Sequence, residues 1–300
     1  MTKITLLDGS IGQELVKRSG DRATPLWSTQ VMIDHPHIVR EVHDAYFAAG
    51  ATVATTNTYA VLRDRLVRVG LHEEVGRLTE TAVTMAREAQ RHAGKGLVAG
   101  ALGPLGASYR PDLCPPVADA VQLYEEPIAN LRDHVDLLLF ETMASVEQAE
   151  GALVAAAQHG NGLPVWLAVT VEDEDGTRLR SGEKLDLLAP LVERHKPAAV
   201  LINCSPPEVI AAGLEIIGTL GLPYGAYGNG FTRISEGFLK DAPTVDALEQ
   251  RTDLTPDAYA GFAMGWVDQG ATIVGGCCEV GPDHITELAG RLRSAGHEIV

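Results

Sequence analysis

Short aliphatic runs alternate with helical patterns along the whole chain. Eight of these runs predict β-strands, at residues 4–9, 51–57, 96–102, 135–142, 165–171, 198–204, 224–229 and 271–278. None of them alternates strictly between polar and apolar positions. Continuous apolar runs are typical of parallel strands that are covered on both faces. The pattern therefore predicts a parallel sheet with helices packed against it.

The segments between the strands carry helix start and stop signals. Proline or a capping residue opens the helices and glycine closes them, as in segments 36–50, 145–160 and 255–270. Eight strands, each followed by a helix, predict an α/β fold of the (β/α)8 TIM barrel type. A doubly wound open sheet is the competing fold, but no glycine-rich dinucleotide turn follows the first strand. Because no linker divides the sequence, we expect a single domain over residues 1–300.

Two connections are longer than a barrel requires. They run from residue 9 to about 36 and from residue 229 to about 255. Both follow the carboxyl end of a strand, which is the functional face of barrel enzymes. Long loops in compact domains commonly cover a site, so these two are interpreted as lids. The alternative is a pair of insertions that only pack on the surface.

The composition narrows the range of partners. The chain has 300 residues, 45% of them hydrophobic, and a formal net charge of −16. A surface this acidic repels phosphate backbones and anionic lipids, so we expect neither nucleic acid nor membrane partners. The sequence shows no signal peptide pattern and no apolar run long enough to span a bilayer. We therefore expect a cytoplasmic protein, whose thiols would be kept reduced.

Polar residues recur at the positions where the predicted strands end. They are Asp8, Thr56, Asn57, Tyr59, Glu141, Asn203, Cys204, Asn229, Cys277 and Cys278. In a barrel all of these positions meet at one mouth. Glu141 interrupts a strongly apolar run, and a charge there needs a partner such as the amino group of a substrate. Asp8 precedes a glycine and could instead form a simple turn.

Three of the four cysteines belong to this set. Thiolates of Cys204, Cys277 and Cys278 could hold a zinc ion tetrahedrally and leave its fourth position open, which is typical of a catalytic site. The alternatives are a redox pair or buried free cysteines that behave as small hydrophobic residues. Cys114, in a proline-rich stretch, is interpreted as an incidental free thiol. The histidines have no metal-ligand spacing and receive no catalytic role.

Several segments together resemble the zinc-dependent homocysteine S-methyltransferase family. They are TIVGGCCEVGPDHI, LINCSPPE, LLDGSIGQEL, LLLFETMASVEQA and the stretch from PLWSTQ to TTNTY. The resemblance covers nearly the whole chain. It implies that the three zinc thiolates of the family correspond to Cys204, Cys277 and Cys278.

The same resemblance implies roles for the polar residues. Asp8 and Glu141 match the two acids that handle the amino acid group of homocysteine, and Tyr59 matches the tyrosine that closes the strand 2 motif. Asn203 and Asn229, which keep the family's strand-end asparagines, complete the predicted substrate-binding set.

Two departures from the family pattern concern the far end of the substrate. Glu279 and Val280 stand where many members have Arg-Thr, and the YGNGF segment keeps only Asn229 of the usual strand 7 motif. Neither change removes a predicted zinc ligand. They bear instead on substrate orientation and on the identity of the methyl donor.

The resemblance implies that homocysteine sulfur takes the fourth zinc position and attacks an activated methyl group, giving methionine. Because the chain has no room for folate and cobalamin modules or for an extra dimerisation segment, the expected donor is S-methylmethionine or S-adenosylmethionine. Two alternatives stay open: a homocysteine-binding subunit that works with a separate corrinoid protein, and a non-catalytic zinc or thiol sensor. The sequence leaves open whether the protein is a monomer or a homo-oligomer.

Overall fold

A curled parallel sheet forms the centre of the molecule in the computed structural model, which describes residues 2–20, 26–235, 237, 239 and 248–300. Its strands are β1 (Lys3–Leu6), β2 (Val53–Thr55), β3 (Leu97–Leu102), β4 (Leu137–Met143), β5 (Val165–Val169), β6 (Ala199–Asn203), β7 (Tyr224–Tyr227), β8 (Ile273–Val274) and β9 (Glu298–Ile299).

Helices follow the strands along the chain. They are α1 (Ile11–Ser19), α2 (Ser28–Asp34), α3 (Pro36–Ala49), α4 (Arg63–Leu66), α5 (Val75–Ala93), α6 (Val117–Leu131), α7 (Val146–His159), α8 (Ala189–His195), α9 (Pro207–Ile217), α10 (Pro256–Asp268) and α11 (Pro282–Ser294). The predicted capping residues are in place: Ser145 accepts the Gln148 N–H at 3.1 Å, and Thr255 accepts the Ala258 N–H at 3.3 Å.

The sheet closes into a barrel. Its strands follow the order β2-β3-β4-β5-β6-β7-β8-β1-β9, and the paired strands run parallel. A bridge between Leu7 and Val53 joins β1 to β2, and the Thr52 N–H donates to the Leu6 carbonyl at 2.7 Å. The (β/α)8 prediction is therefore confirmed. The sequence did not predict β9, which pairs with the outer edge of β1 through Lys3 and Glu298.

Neighbouring residues of one strand pack into different cores. On β4, Leu138 and Phe140 join the layer between sheet and helices, whereas Leu137 and Leu139 pack inside the barrel. Both faces of the strand are thus removed from water. This explains why the strands read as continuous apolar runs rather than as alternating patterns.

The eighth predicted strand is shorter than expected. β8 ends at Val274, so Cys277 and Cys278 lie on a turn beyond it. The long connection 9–36 contains α1 and α2, and residues 21–25 of it lie outside the described part of the chain. In the connection 229–255, residues 236, 238 and 240–247 likewise lie outside it, and the predicted lids include these residues. No helix among the described residues is long and apolar enough to cross a membrane.

Candidate active site and metal centre

One cavity lies at the carboxyl ends of the strands, where the sequence predicts the site. Among the described residues of its wall are three cysteines, two carboxylates and several aromatic rings, and none is a lysine, arginine or histidine. The cysteines and carboxylates are Cys204, Cys277, Cys278, Asp8 and Glu141. The aromatic residues are Trp27, Tyr59, Tyr109, Tyr227 and Phe231.

The three cysteines come together as predicted. Their sulfur atoms all lie within 4.8 Å of one another, and the Sγ atoms of Cys277 and Cys278 are 3.9 Å apart. Four-coordinate zinc with Zn–S bonds of about 2.3 Å holds its sulfur ligands ~3.8 Å apart, so the Cys277–Cys278 spacing suits one ion. The donor set therefore fits a zinc site.

Cys204 and Cys277 form a disulfide in this structure, with their Cα atoms 5.7 Å apart. The expectation that the thiols are reduced does not describe this pair. Thiolates are the metal ligands, so the pair must be reduced before both sulfur atoms can bind a cation. In this structure Cys204 and Cys277 are thus oxidised, and Cys278 keeps its thiol.

The thiol turn is tied to the strands on either side of it. The Gly276 N–H donates to the Asp8 carbonyl at 3.0 Å, and the Cys277 N–H donates to the Gly228 carbonyl at 2.9 Å. A Cβ atom added to Gly276 would overlap the Val280 side chain. The glycine before the cysteine pair is therefore required by the close packing of the Val280 side chain against the turn.

The cavity suppresses ionisation of the third thiol. Loss of solvation raises the pKa of Cys278 to about 12, although a hydrogen bond with the Gln13 side chain opposes this rise. Without a cation this sulfur stays protonated at neutral pH, whereas a bound metal would deprotonate it.

The carboxylate of Asp8 lies at the seam of the barrel. Its oxygen Oδ2 accepts the Thr55 N–H at 2.6 Å, and Oδ1 accepts the Thr55 hydroxyl at 2.9 Å. Burial raises the pKa of Asp8 despite these hydrogen bonds, which lower it. Asp8 is therefore held in the cavity wall by a neighbouring strand and does not form a simple turn.

The second carboxylate faces it from β4. Glu141 accepts a hydrogen bond from the Tyr227 hydroxyl at 3.1 Å. Loss of solvation raises the pKa of Glu141 to about 7, while the Tyr227 hydroxyl lowers it. At neutral pH this group is thus poised between its charged and uncharged forms. An ammonium group in the cavity would shift it to the charged form.

Tyr59 also lines the cavity, in keeping with its prediction. Its hydroxyl shares a 2.7 Å hydrogen bond with Ser108, and the Arg65 guanidinium lies 5.2 Å from the centre of its ring. The ring is thereby fixed in the wall.

The two asparagines are placed differently from the prediction. Neither Asn203 nor Asn229 belongs to the described wall of the cavity. Asn203 bonds to Thr142 through both atoms of its amide, and the Asn229 side chain accepts the Phe231 N–H at 3.2 Å. Both support residues that line the cavity, and neither contacts the cavity itself.

Strained backbone is concentrated around the cavity. Positive φ angles outside glycine occur at seven described residues, and four of these line the cavity: Trp27 (50°), Tyr109 (61°), Thr142 (63°) and Cys204 (49°). Such conformations cost free energy and persist where the surrounding structure imposes them, typically at functional sites.

Sequence reasoning missed several wall residues. Trp27 and Phe231 lie in the two long connections, which were expected to cover a site, so the loop lengths were the available signal. Tyr109 and Gln13 gave no comparable signal. Glu279 and Val280, where the sequence departs from the family pattern, do not belong to the described wall, and Val280 is completely buried.

Comparison with known proteins agrees with this geometry. The family model described as homocysteine S-methyltransferase matches residues 5–292. The homocysteine S-methyltransferase of Escherichia coli is 31% identical, over 96% of this chain and 95% of that protein. The crystal structure of the homocysteine methyltransferase MmuM from Escherichia coli in its metallated form superposes with a TM-score of 0.80, 28% identity and 96% coverage of both chains. The oxidized form of MmuM gives a TM-score of 0.81 with the same identity and coverage.

Proposed function

The chain belongs to the homocysteine S-methyltransferase family, and on this premise we propose that it methylates homocysteine with a sulfonium donor, S-methylmethionine or S-adenosylmethionine, to give methionine. The observation that carries the proposal is the convergence of three cysteines and two carboxylates on one cavity at the mouth of the barrel. Barrel enzymes carry their active sites on this face.

We propose that Cys204, Cys277 and Cys278 hold one zinc ion once the disulfide is reduced. The bound ion would supply a Lewis acid with one position free for the acceptor thiol, which it would keep deprotonated at neutral pH. The role of the three cysteines is to fix that charge at one end of the cavity.

Asp8 and Glu141 would bind the amino group of homocysteine. Both lie in the cavity wall, and loss of solvation raises the pKa of each. A cationic partner would therefore stabilise their charged forms. Two contacts at the amino end would fix the direction in which the sulfur points. Such positioning supplies a large part of the rate enhancement in reactions between two substrates.

The wall also suits a positively charged donor. It combines carboxylates with aromatic rings and, within its described part, has no basic side chain. Aromatic faces attract cations, more strongly when water is excluded. In the transfer, the acceptor sulfur forms a bond to the methyl carbon. The bond from that carbon to the donor sulfur breaks, and its electron pair neutralises the sulfonium.

The need for reduced thiols is consistent with a cytoplasmic enzyme of methionine biosynthesis. The decisive experiment incubates reduced, zinc-loaded protein with homocysteine and each donor in turn, and measures methionine by mass spectrometry. Formation of methionine from one of the two sulfonium compounds is expected. Transfer only in the presence of a methylated corrinoid protein would contradict the proposed donor, and no transfer from any donor would contradict the enzymatic function.

A further inference from the structure

β4 contains one more residue than its partner beside Glu141. Phe140 pairs with Leu167 and Met143 pairs with Val169, so two residues of β4, Glu141 and Thr142, oppose a single residue of β5. This is a β-bulge, which interrupts the regular alternation of the strand. Glu141 keeps the inward direction of Leu137 and Leu139, and the bulge follows directly after it at Thr142.

The bulge depends on an unfavourable conformation of Thr142. Its φ angle is 63°, in the left-handed region, which a β-branched residue rarely adopts. A conformation of this kind costs about 1–3 kcal/mol and persists only if surrounding contacts impose it. Thr142 is completely buried, so its N–H and hydroxyl also need partners.

Asn203 supplies both partners. Its Oδ1 atom accepts the Thr142 N–H at 2.9 Å, and its Nδ2 atom donates to the Thr142 hydroxyl at 3.0 Å. Asn203 ends β6 and is completely buried, so its side chain spans β5 to reach β4. A side-chain amide offers an acceptor and a donor on one short planar group, and glutamine, which also carries an amide, is one methylene longer.

We infer that Asn203 is a positioning residue: it holds Thr142 in the left-handed conformation and thereby keeps the adjacent Glu141 carboxylate aligned in the cavity. The functional part of this inference rests on the proposed role of Glu141 in binding the homocysteine amino group. Without the Asn203 amide, Thr142 relaxes to a negative φ angle and Glu141 loses its alignment with Tyr227. Because Asn203 directly precedes Cys204, one strand end orients both the acid and a thiol.

The first test compares two acceptors in three variants. Asn203→Ala removes both hydrogen bonds, Thr142→Gly removes the strain, and the double variant combines them. The acceptors are homocysteine and 4-sulfanylbutanoate, which has the same thiol and carboxylate but no amino group. Asn203→Ala should raise KM for homocysteine by about ten-fold and leave KM for 4-sulfanylbutanoate within about two-fold.

The double variant should recover most of the loss, because glycine adopts a positive φ angle without a steric cost. Zinc content should stay at the wild-type level in all three variants. An equal rise in KM for both acceptors, or a double variant no better than Asn203→Ala, would overturn the inference. If Asn203→Ala does not fold, Thr142→Val removes only the hydroxyl and should show the same selectivity to a smaller degree.

A second readout needs no activity. In a crystal structure of Asn203→Ala, residue 142 should have a negative φ angle and the Glu141 carboxylate should lie beyond hydrogen-bonding distance of the Tyr227 hydroxyl. An unchanged bulge would disprove the positioning role even if the enzyme were active. If wild-type protein forms no methionine, the proposed function fails, and this structural comparison still decides the role of Asn203 in the bulge.

Discussion

The Tyr227 hydroxyl donates a 3.1 Å hydrogen bond to the Glu141 carboxylate, joining the ends of β7 and β4 across the mouth of the barrel. Among the described residues, it is the only hydrogen bond that the Glu141 side chain makes. One neutral donor compensates only part of the solvation that a carboxylate has in water, and the pKa of Glu141 rises to about 7. The site thus lowers the stability of the folded chain above this pH.

Glu141→Gln should therefore stabilise the metal-free protein at alkaline pH. The folded pKa of Glu141 lies above its ordinary value of 4.5, so its favourable contribution is complete below pH 4.5 and is lost as the pH rises through about 7. At pH 8 the variant should be more stable by about 1–3 kcal/mol, and at pH 5 the difference should be small. Urea unfolding at both pH values measures it. The exposed Glu193→Gln is the control, and a pH-independent gain in Glu141→Gln would contradict the assignment.

Loss of a single site thiol should abolish tight zinc binding. Replacing Cys204 or Cys278 by Ala leaves two sulfur ligands, and we expect affinity to fall by at least about 100-fold with little change in circular dichroism. Cys114→Ala is the matched control because Cys114 does not belong to the cluster and its thiol donates to the Pro115 carbonyl at 3.3 Å. Zinc per chain, measured after dialysis, gives the comparison. A Cys278→Ala protein that kept its zinc would rule out this residue as a ligand.

Oxidation and metal binding should exclude each other. The Cys204–Cys277 disulfide uses two of the three proposed ligands, and a reductant must supply two electrons and two protons to free them. Protein kept without reductant should be two hydrogen atoms lighter by intact mass and should take up no zinc. Treatment with a dithiol should restore one ion per chain. Equal zinc uptake by both forms would show that the disulfide does not involve the ligands.

Gly276→Ala should displace the thiol turn. The new methyl group would meet the Val280 side chain and approach the backbone of Gly9 at 3.4 Å, so we expect a loss of about 1–3 kcal/mol in unfolding free energy and weaker zinc binding. Gly265→Ala, on the exposed face of α10, has no neighbour within 4 Å and should gain about 0.5–1 kcal/mol. Thermal unfolding and zinc titration of the two variants make the comparison. A Gly276→Ala protein as stable as Gly265→Ala would contradict the packing argument.

The sequence predicted which residues lie near the mouth, because the end of each apolar run marks the end of a strand. Asp8, Glu141 and Cys204 were located in this way, and the structure brings them to one cavity. The barrel itself followed from the eight repeats. In a parallel barrel the carboxyl ends of all strands meet at one face, so residues at these ends lie close to one another.

Direction could not be predicted in the same way. Asn203 and Asn229 end their strands as expected, yet their amides bond to Thr142 and Phe231 rather than facing the cavity. Their partners lie at the β4 bulge and in a long connection, two irregular stretches of backbone that no pattern in the sequence marks. The sequence also does not predict the contact of Tyr227 with Glu141. The Tyr227 hydroxyl contacts β4, which is distant in sequence, and a single sequence contains no pattern that indicates such a contact.

The short strand β9 has a practical consequence. It runs beside the first residues of β1, with Lys3 opposite Glu298, while the cavity opens beyond the other end of β1 at Asp8. Five residues of extended chain separate the two ends by roughly 16 Å. An affinity tag or a surface attachment at residue 2 or residue 300 is therefore held on the far side of the barrel. Binding of thiols and zinc can be measured on immobilised protein with the mouth facing the solution.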